Sequence, residues 1–284
     1  LISPPVAALH SYLSHWNRRS IGMATVLLTG ATGVLGRELN PRLLDAGYDV
    51  RATSRSPPTN GEEEWVELDL VDGRGIREAV SGVDIVVHAA SDARGDSEAV
   101  DVRGTERLLD AATDAEVVNF VYVSIVGIDE IPYTYYEHKL EAERAIESSS
   151  VPSTIVRSTQ FYPFVASLLG AVSRLPVWPL PTEVELQPIE TGEAAEAIVE
   201  YATEDATGRV PDIGGPDVLS VRQLAEAYRE ERGLRRPIVR LPIPGHVASA
   251  FRAGKATCPD HDIGTRTWNE WLAEQEGIPG QGEY

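Results

Sequence analysis

The segment Thr29-Gly30-Ala31-Thr32-Gly33-Val34-Leu35-Gly36 spaces three glycines three residues apart, after an apolar run and before a helical pattern. Each glycine has a chemical use in that setting. Gly30 permits a tight turn, Gly33 removes the Cβ that would block a pyrophosphate, and Gly36 lets the following helix approach a sheet. The helix N-terminus then offers free N–H groups and the positive end of its dipole to phosphate. Gly30, Thr32, Gly33, Val34, Leu35 and Gly36 are therefore candidate dinucleotide-binding residues.

The next strand-like run ends without the acidic residue that would grip a ribose 2′-hydroxyl. Arg51, Thr53, Ser54, Arg55 and Ser56 stand there instead. A guanidinium and hydroxyls suit a 2′-phosphate, so Arg51 and Arg55 predict NADP(H) over NAD(H); the alternative is a pair of solvated surface arginines. Asp69-Leu70 follows the third run, where Asp69 could accept from an adenine amino group or cap a short helix. His88-Ala89-Ala90-Ser91 ends the fourth. Ala89, Ala90 and Ser91 are small enough for a cofactor to pass close to the sheet, and His88 reads equally as a packed residue.

The elements that must hold these residues alternate. Strands are expected at Thr25–Thr29, Tyr48–Thr53, Trp65–Leu68, Asp84–His88, Asn119–Ser124 and Ser153–Arg157. Helical patterns lie between them, at Leu35–Ala46, Ile76–Val80, Val100–Ala112 and Tyr135–Ser148. Continuous Val/Ile/Leu strands joined by helices predict parallel strands buried on both faces, hence an α/β fold with a doubly wound, mostly parallel Rossmann-type sheet. Residues 23–160 form this expected NAD(P)-binding domain. Prolines and aromatic residues then crowd 158–190, which reads as loops and short helices. Residues 161–284 are expected to form a small C-terminal substrate-side subdomain, with 191–213 returning to the sheet. Phe161, Tyr162, Phe164 and Trp178 are expected to wall the pocket or to form subdomain core.

The chain has 284 residues, 44 acidic and 25 basic, giving a net charge of −19. That balance excludes a nucleic-acid footprint and argues against docking on anionic membranes. Only Lys139 and Lys255 are lysines, a scarcity that with the acidity points to a salt-rich, halophilic cytoplasm; the alternative is an ordinary acidic protein kept dispersed by self-repulsion. No run is long and apolar enough to span a membrane, so a cytoplasmic location is expected. One cysteine, Cys258, excludes an intrachain disulfide, and with His261 it supplies too few ligands for a metal. The only methionine is Met23. Residues 1–22 read as an extension, poorly ordered or not native, ahead of the functional part.

Together the glycine loop, Tyr122-Val-Ser124-Ile-Val-Gly127, Tyr135-Tyr-Glu-His-Lys139 and Thr154-Ile-Val-Arg157-Ser-Thr159-Gln-Phe161 resemble the short-chain dehydrogenase/reductase superfamily. The likeness is to its atypical and extended branches and most to NmrA-like NAD(P)-binding proteins. It runs from about Met23 to Trp271 and includes Gly214-Gly215-Pro216 and Arg240-Leu-Pro-Ile-Pro-Gly245.

The resemblance implies a catalytic set of Ser124, Tyr135 and Lys139, with Thr159 and Phe161 near the cofactor. Tyr135 and Lys139 stand four residues apart, on one helix face. A phenol with a pKa near ~10 is a poor acid–base group at neutral pH, and an ammonium beside it would favour the phenolate. Ser124 would orient a substrate oxygen. The implied activity is hydride transfer between NADP(H) and a small carbonyl substrate, hydrophobic or quinone-like, by a monomer or homodimer. Two alternatives are a non-catalytic dinucleotide sensor and an NADPH-binding accessory subunit resembling that of respiratory complex I.

Overall fold

The computed structural model describes residues 23–58 and 64–275. The expectation for residues 1–22 lies outside them. Strands β1 (Thr25–Thr29), β2 (Asp49–Ser54), β3 (Glu64–Glu67), β4 (Ile85–His88), β5 (Asn119–Ile125), β6 (Ser153–Ser158) and β9 (Gly208–Arg209) form one sheet. Its order is β3-β2-β1-β4-β5-β6-β9, and every pairing is parallel. The fold is therefore Rossmann-like α/β. Chain direction across the sheet reverses between β1 and β4, so a crevice opens at their C-terminal ends.

The parallel strands need crossovers, and these cover both faces. Helix α1 (Val34–Asp45) packs with α6 (Thr191–Val199) on one face, over Leu28, Val50, Val87 and Val156. Helices α2 (Ile76–Val80), α3 (Thr105–Asp114) and α4 (Thr134–Ser148) cover the other, over Leu27, Val86, Phe120 and Ile155. Each such apolar side chain contributes roughly 1.5–3 kcal/mol by leaving water. A π-helical stretch, Glu98–Gly104, leads into α3. The expected helix Val100–Ala112 thus divides into two kinds of turn.

Where the sequence reading expects loops and short helices, α5 (Tyr162–Ser173) runs for twelve residues. Pro163 lies in its first turn, where a missing N–H costs nothing, so it starts the helix rather than breaking it. Four short strands follow the same region: β7 (Trp178–Leu180), β8 (Glu185–Leu186), β10 (Leu219–Ser220) and β11 (Ile238–Arg240). They pair as β7 with β11 and β8 with β10. Helices α7 (Val221–Glu231), α8 (His246–Arg252) and α9 (Trp268–Glu274) complete this part, and α7 and α9 both open with capping boxes. Its core gathers Tyr162, Trp178, Leu224, Tyr228 and Trp268. Tyr162 is 1% exposed and Trp178 is fully buried, so neither walls a pocket. Tyr162 donates its hydroxyl proton to the Arg266 carbonyl at 2.6 Å.

Candidate active site

The glycine loop lies at the sheet's crevice, between β1 and α1. Gly30 has φ +70°, and a Cβ there would stand 2.7 Å from the Ala90 backbone nitrogen. The loop and the chain leaving β4 can meet only because the side chain is missing. A Cβ on Gly36 would stand 2.1 Å from the Gly30 carbonyl oxygen, so Gly36 seats the helix on its own entry turn. Gly33 differs: its nearest neighbour would be the Gly30 oxygen at 3.1 Å, and the residue is exposed. No side chain caps α1, and its first turn holds no acidic residue. Its leading N–H groups at Val34, Leu35 and Gly36, beside exposed Thr32, therefore have no capping side chain.

The two arginines behave differently. Arg51 pairs with Glu64 at 2.7 Å and donates to the Ala79 and Ser81 carbonyls at 2.9 and 2.8 Å. It ties β2 to β3 and α2, so its guanidinium is not available to a 2′-phosphate. Arg55 is exposed, just beyond the C-terminal end of β2, and makes no ion pair among the described residues. Asp69 spends one carboxylate oxygen on the Val71 N–H at 2.8 Å, forming a turn, and Leu70 is buried in the core. The helix after it is capped by Gly75, not by Asp69.

His88 is fully buried and structural. Thr105 donates its proton to the Asp101 carbonyl at 2.6 Å, so it must accept from His88 Nε2 at 3.0 Å. Nδ1 is then left to accept from Thr29 at 2.6 Å. Burial, helped by the charge of Lys139, pushes the imidazole down to about 3 and keeps it neutral.

Tyr133, which caps α4, and Tyr135 and Tyr136 in its first turn pack ring against ring. The Tyr135 hydroxyl lies 2.7 Å from Ser91 Oγ, which donates to Asp101 Oδ1 at 2.6 Å. The carboxylate's other oxygen accepts the Asp92 N–H at 3.1 Å. Lys139 lies 3.8 Å from Asp101, donates to the Val123 carbonyl at 2.8 Å, and stands 4.1 Å above the Tyr122 ring. Ser124, the residue after Val123, is 3% exposed and its hydroxyl has no hydrogen-bond partner. Thr159, beyond β6, is equally buried with an equally unpaired hydroxyl. Phe161 lies beside it as the residue that opens α5, half-buried against the sheet core. Buried hydroxyls without partners are costly, and their position at strand C-termini suits a polar ligand.

The Tyr135 phenol is held far above its usual range, by burial first and by Asp101 second. Burial lowers Lys139, although Asp101 and Glu143 oppose that. The ammonium meets a carboxylate and a carbonyl rather than promoting a phenolate. Asp101 is the residue the sequence reading missed. It continues the buried stripe Thr105, Leu108 and Ala112 at helical spacing, so the available signal was a lone acid on an apolar face.

Residues 30–163 match the protein family described as NAD(P)H-binding. A 3 beta-hydroxysteroid dehydrogenase/Delta 5-->4-isomerase of Mycobacterium tuberculosis is 35% identical over 156 residues, 44% of this chain and 42% of that protein. The chain thus spans about two fifths of that relative's length. NADPH-dependent quinone oxidoreductase QOR2 of Escherichia coli, complexed with NADPH, superposes with a TM-score of 0.73 at 18% identity, covering 87% of this chain and 98% of that one. MoeE5, in complex with UDP-glucose and NAD, gives 0.65 at 22%, covering 76% and 85%. Residues 30–163 thus resemble an NAD(P)H-binding domain, and the chain shares the Rossmann-like α/β fold of these structures.

Proposed function

We propose that the protein is an NADP(H)-dependent oxidoreductase acting on a small carbonyl or alcohol, apolar or quinone-like in character. The observation that carries this reading is the polar chain from Tyr135 through Ser91 to Asp101, beside Lys139 and the unpaired hydroxyl of Ser124. The bound nicotinamide would supply or accept hydride. Gly30, Gly33 and the open first turn of α1 would hold the pyrophosphate, Arg55 the 2′-phosphate, and Ala89 and Ala90 the passing backbone of the cofactor. Thr159 and Phe161 would border the nicotinamide, and Asp69 the adenine. Tyr135 exchanges a proton with the substrate oxygen, Ser124 orients that oxygen, and Lys139 supplies the balancing positive charge. Residues from 161 onward would form the substrate side. The quinone oxidoreductase and the hydroxysteroid dehydrogenase among the similar proteins support oxidoreduction.

The engagement of the Tyr135 hydroxyl by Ser91 at 2.7 Å favours a second reading, a dinucleotide sensor without turnover. Both readings meet in one experiment. NADPH and NADH are titrated by fluorescence, and turnover is then followed on a panel of quinones, aldehydes and alcohols at low and molar salt. Turnover that disappears in Tyr135→Phe is the expected result. Tight binding with no turnover on any substrate sinks the enzyme and leaves the sensor.

A further inference from the structure

We propose that the proton in this reaction ends on Asp101, reached from Tyr135 through Ser91, so that Tyr135 conducts the proton without resting as a phenolate. This rests on the oxidoreductase reading above. The geometry fixes the direction of each bond. Ser91 gives its only hydroxyl proton to Asp101 Oδ1, so the Tyr135 hydroxyl, 2.7 Å from the same Ser91 oxygen, must be the donor. The chain runs from phenol to hydroxyl to carboxylate, with no gap wider than 2.7 Å. Asp101 is 1% exposed.

The groups facing Asp101 fit this role. From α4 come Lys139, at 3.8 Å, and Tyr135. From β5 comes the Tyr122 phenol, which burial and then the Asp101 charge hold protonated. From β4 comes His88, neutral, linked to the Asp101 carbonyl through Thr105. Lys139 is therefore the one cation against the carboxylate among these groups. A phenolate at Tyr135 would place a second anion one hydroxyl away from the buried Asp101 carboxylate, and the two like charges would repel.

Passing protons along the chain avoids that arrangement. When an alcohol is oxidised, its hydroxyl proton goes to the Tyr135 oxygen, the Tyr135 proton to Ser91 Oγ, and the Ser91 proton to Asp101 Oδ1. Three O–H bonds break and three form. A bound oxidised nicotinamide would take the carbon-bound hydrogen with its electron pair. Asp101 would then lose its negative charge as that ring lost its positive one, leaving the net charge of the site unchanged. Reduction runs the same chain backwards from protonated Asp101. Ser91 and Asp101 are thus positioning residues that act through Tyr135.

Two measurements test the relay. In the cofactor-free protein, the ultraviolet phenolate absorbance that vanishes in Tyr135→Phe should appear at lower pH in Asp101→Asn than in the unmodified chain. An unchanged titration overturns the coupling, whether or not the protein turns over any substrate. With NADP+ and an alcohol, Ser91→Ala and Asp101→Asn should each lose about 100-fold in kcat at unchanged cofactor KM. Ser91→Thr should restore most of the rate. Ser91 is exposed, so Ser91→Ala probes the relay without disturbing the core. A kcat within about twofold of the unmodified chain in Ser91→Ala overturns the relay. Absence of turnover in the unmodified chain overturns the oxidoreductase reading instead, and the phenolate titration then decides the coupling alone.

Discussion

The Arg157 guanidinium holds the Glu143 carboxylate by two hydrogen bonds, Nε to Oε1 at 2.9 Å and a terminal nitrogen to Oε2 at 2.6 Å. Both side chains are nearly fully buried, and Asp129 adds a contact at 3.1 Å from the more exposed side. This pair joins α4, which carries Tyr135 and Lys139, to β6, which leads to Thr159. A buried ion pair contributes little net stability beyond what an apolar pair would, but removing one partner strands the other charge. Glu143→Ala should therefore destabilise the protein by about 3 kcal/mol, a little less where Asp129 shares the load. Glu143→Gln, which keeps one accepting oxygen, should lose less. Denaturant midpoints would check both, and equal stability of Glu143→Ala and the unmodified chain would sink the argument.

His88 gives the fold an acid-side weakness. Its imidazole sits at about 3 in the folded chain against 6.5 for an ordinary histidine, because burial disfavours the charged form and Lys139 adds to that. Between those values the unfolded chain binds a proton that the folded chain does not. Stability should therefore fall as pH drops through that window, by up to about 1.4 kcal/mol per pH unit, and be independent of His88 above it. His88→Gln should be less stable at neutral pH, having lost the Thr29 and Thr105 bonds, but show a shallower decline toward acid. Denaturation midpoints from neutral pH down to about pH 4 measure the slope, and an unchanged slope would place the sensitivity elsewhere.

The three glycines of the loop should separate folding from binding. Gly36→Ala forces a Cβ to 2.1 Å from the Gly30 carbonyl, and a clash with backbone has no cheap relief. It should cost roughly 1–3 kcal/mol or more of stability. Gly33→Ala meets its nearest atom at 3.1 Å, so the fold should nearly tolerate it. Its methyl group would instead stand where, in the proposed site, a pyrophosphate would approach. Thermal melts should therefore resolve Gly36→Ala from the unmodified chain but barely move for Gly33→Ala, while NADPH titration should show weakened binding for Gly33→Ala. Full NADPH affinity in Gly33→Ala would remove the loop from the proposed site.

Much of this was legible in the sequence, for a physical reason. Parallel strands buried on both faces must be continuous apolar runs, and Val26–Leu28, Ile85–Val87 and Phe120–Tyr122 are such runs, fully buried. The glycine loop was legible because steric exclusion leaves no substitute at Gly30 or Gly36. Long-range polar contacts leave no such local trace. Arg51 looked available because Ala79 and Ser81, whose carbonyls it takes, lie about thirty residues away in sequence. Ser91 and Tyr135 meet across 44 positions, so the relay had no spacing to betray it. The helix at Tyr162–Ser173 was obscured because proline density reads as loop unless one proline happens to fall in a first turn.

The contrast between Arg55 and Arg51 leads to a test of cofactor preference. Both are arginines at or just beyond the same strand, but Arg51 is spent on Glu64, Ala79 and Ser81, whereas Arg55 is exposed beyond the strand's end. In the proposed NADP(H) reading, Arg55 and not Arg51 would meet the 2′-phosphate. A charge-assisted hydrogen bond to phosphate contributes about 1.5–3 kcal/mol, so Arg55→Ala should lower the NADPH-to-NADH affinity ratio by about tenfold or more. Arg55→Glu should lower it further by repulsion. Arg51→Ala should leave the ratio unchanged and lower the melting temperature, since it strands two backbone carbonyls and Glu64. Fluorescence titrations of both cofactors against each variant measure the ratio. A ratio that shifts with Arg51 and not with Arg55 would reverse the assignment.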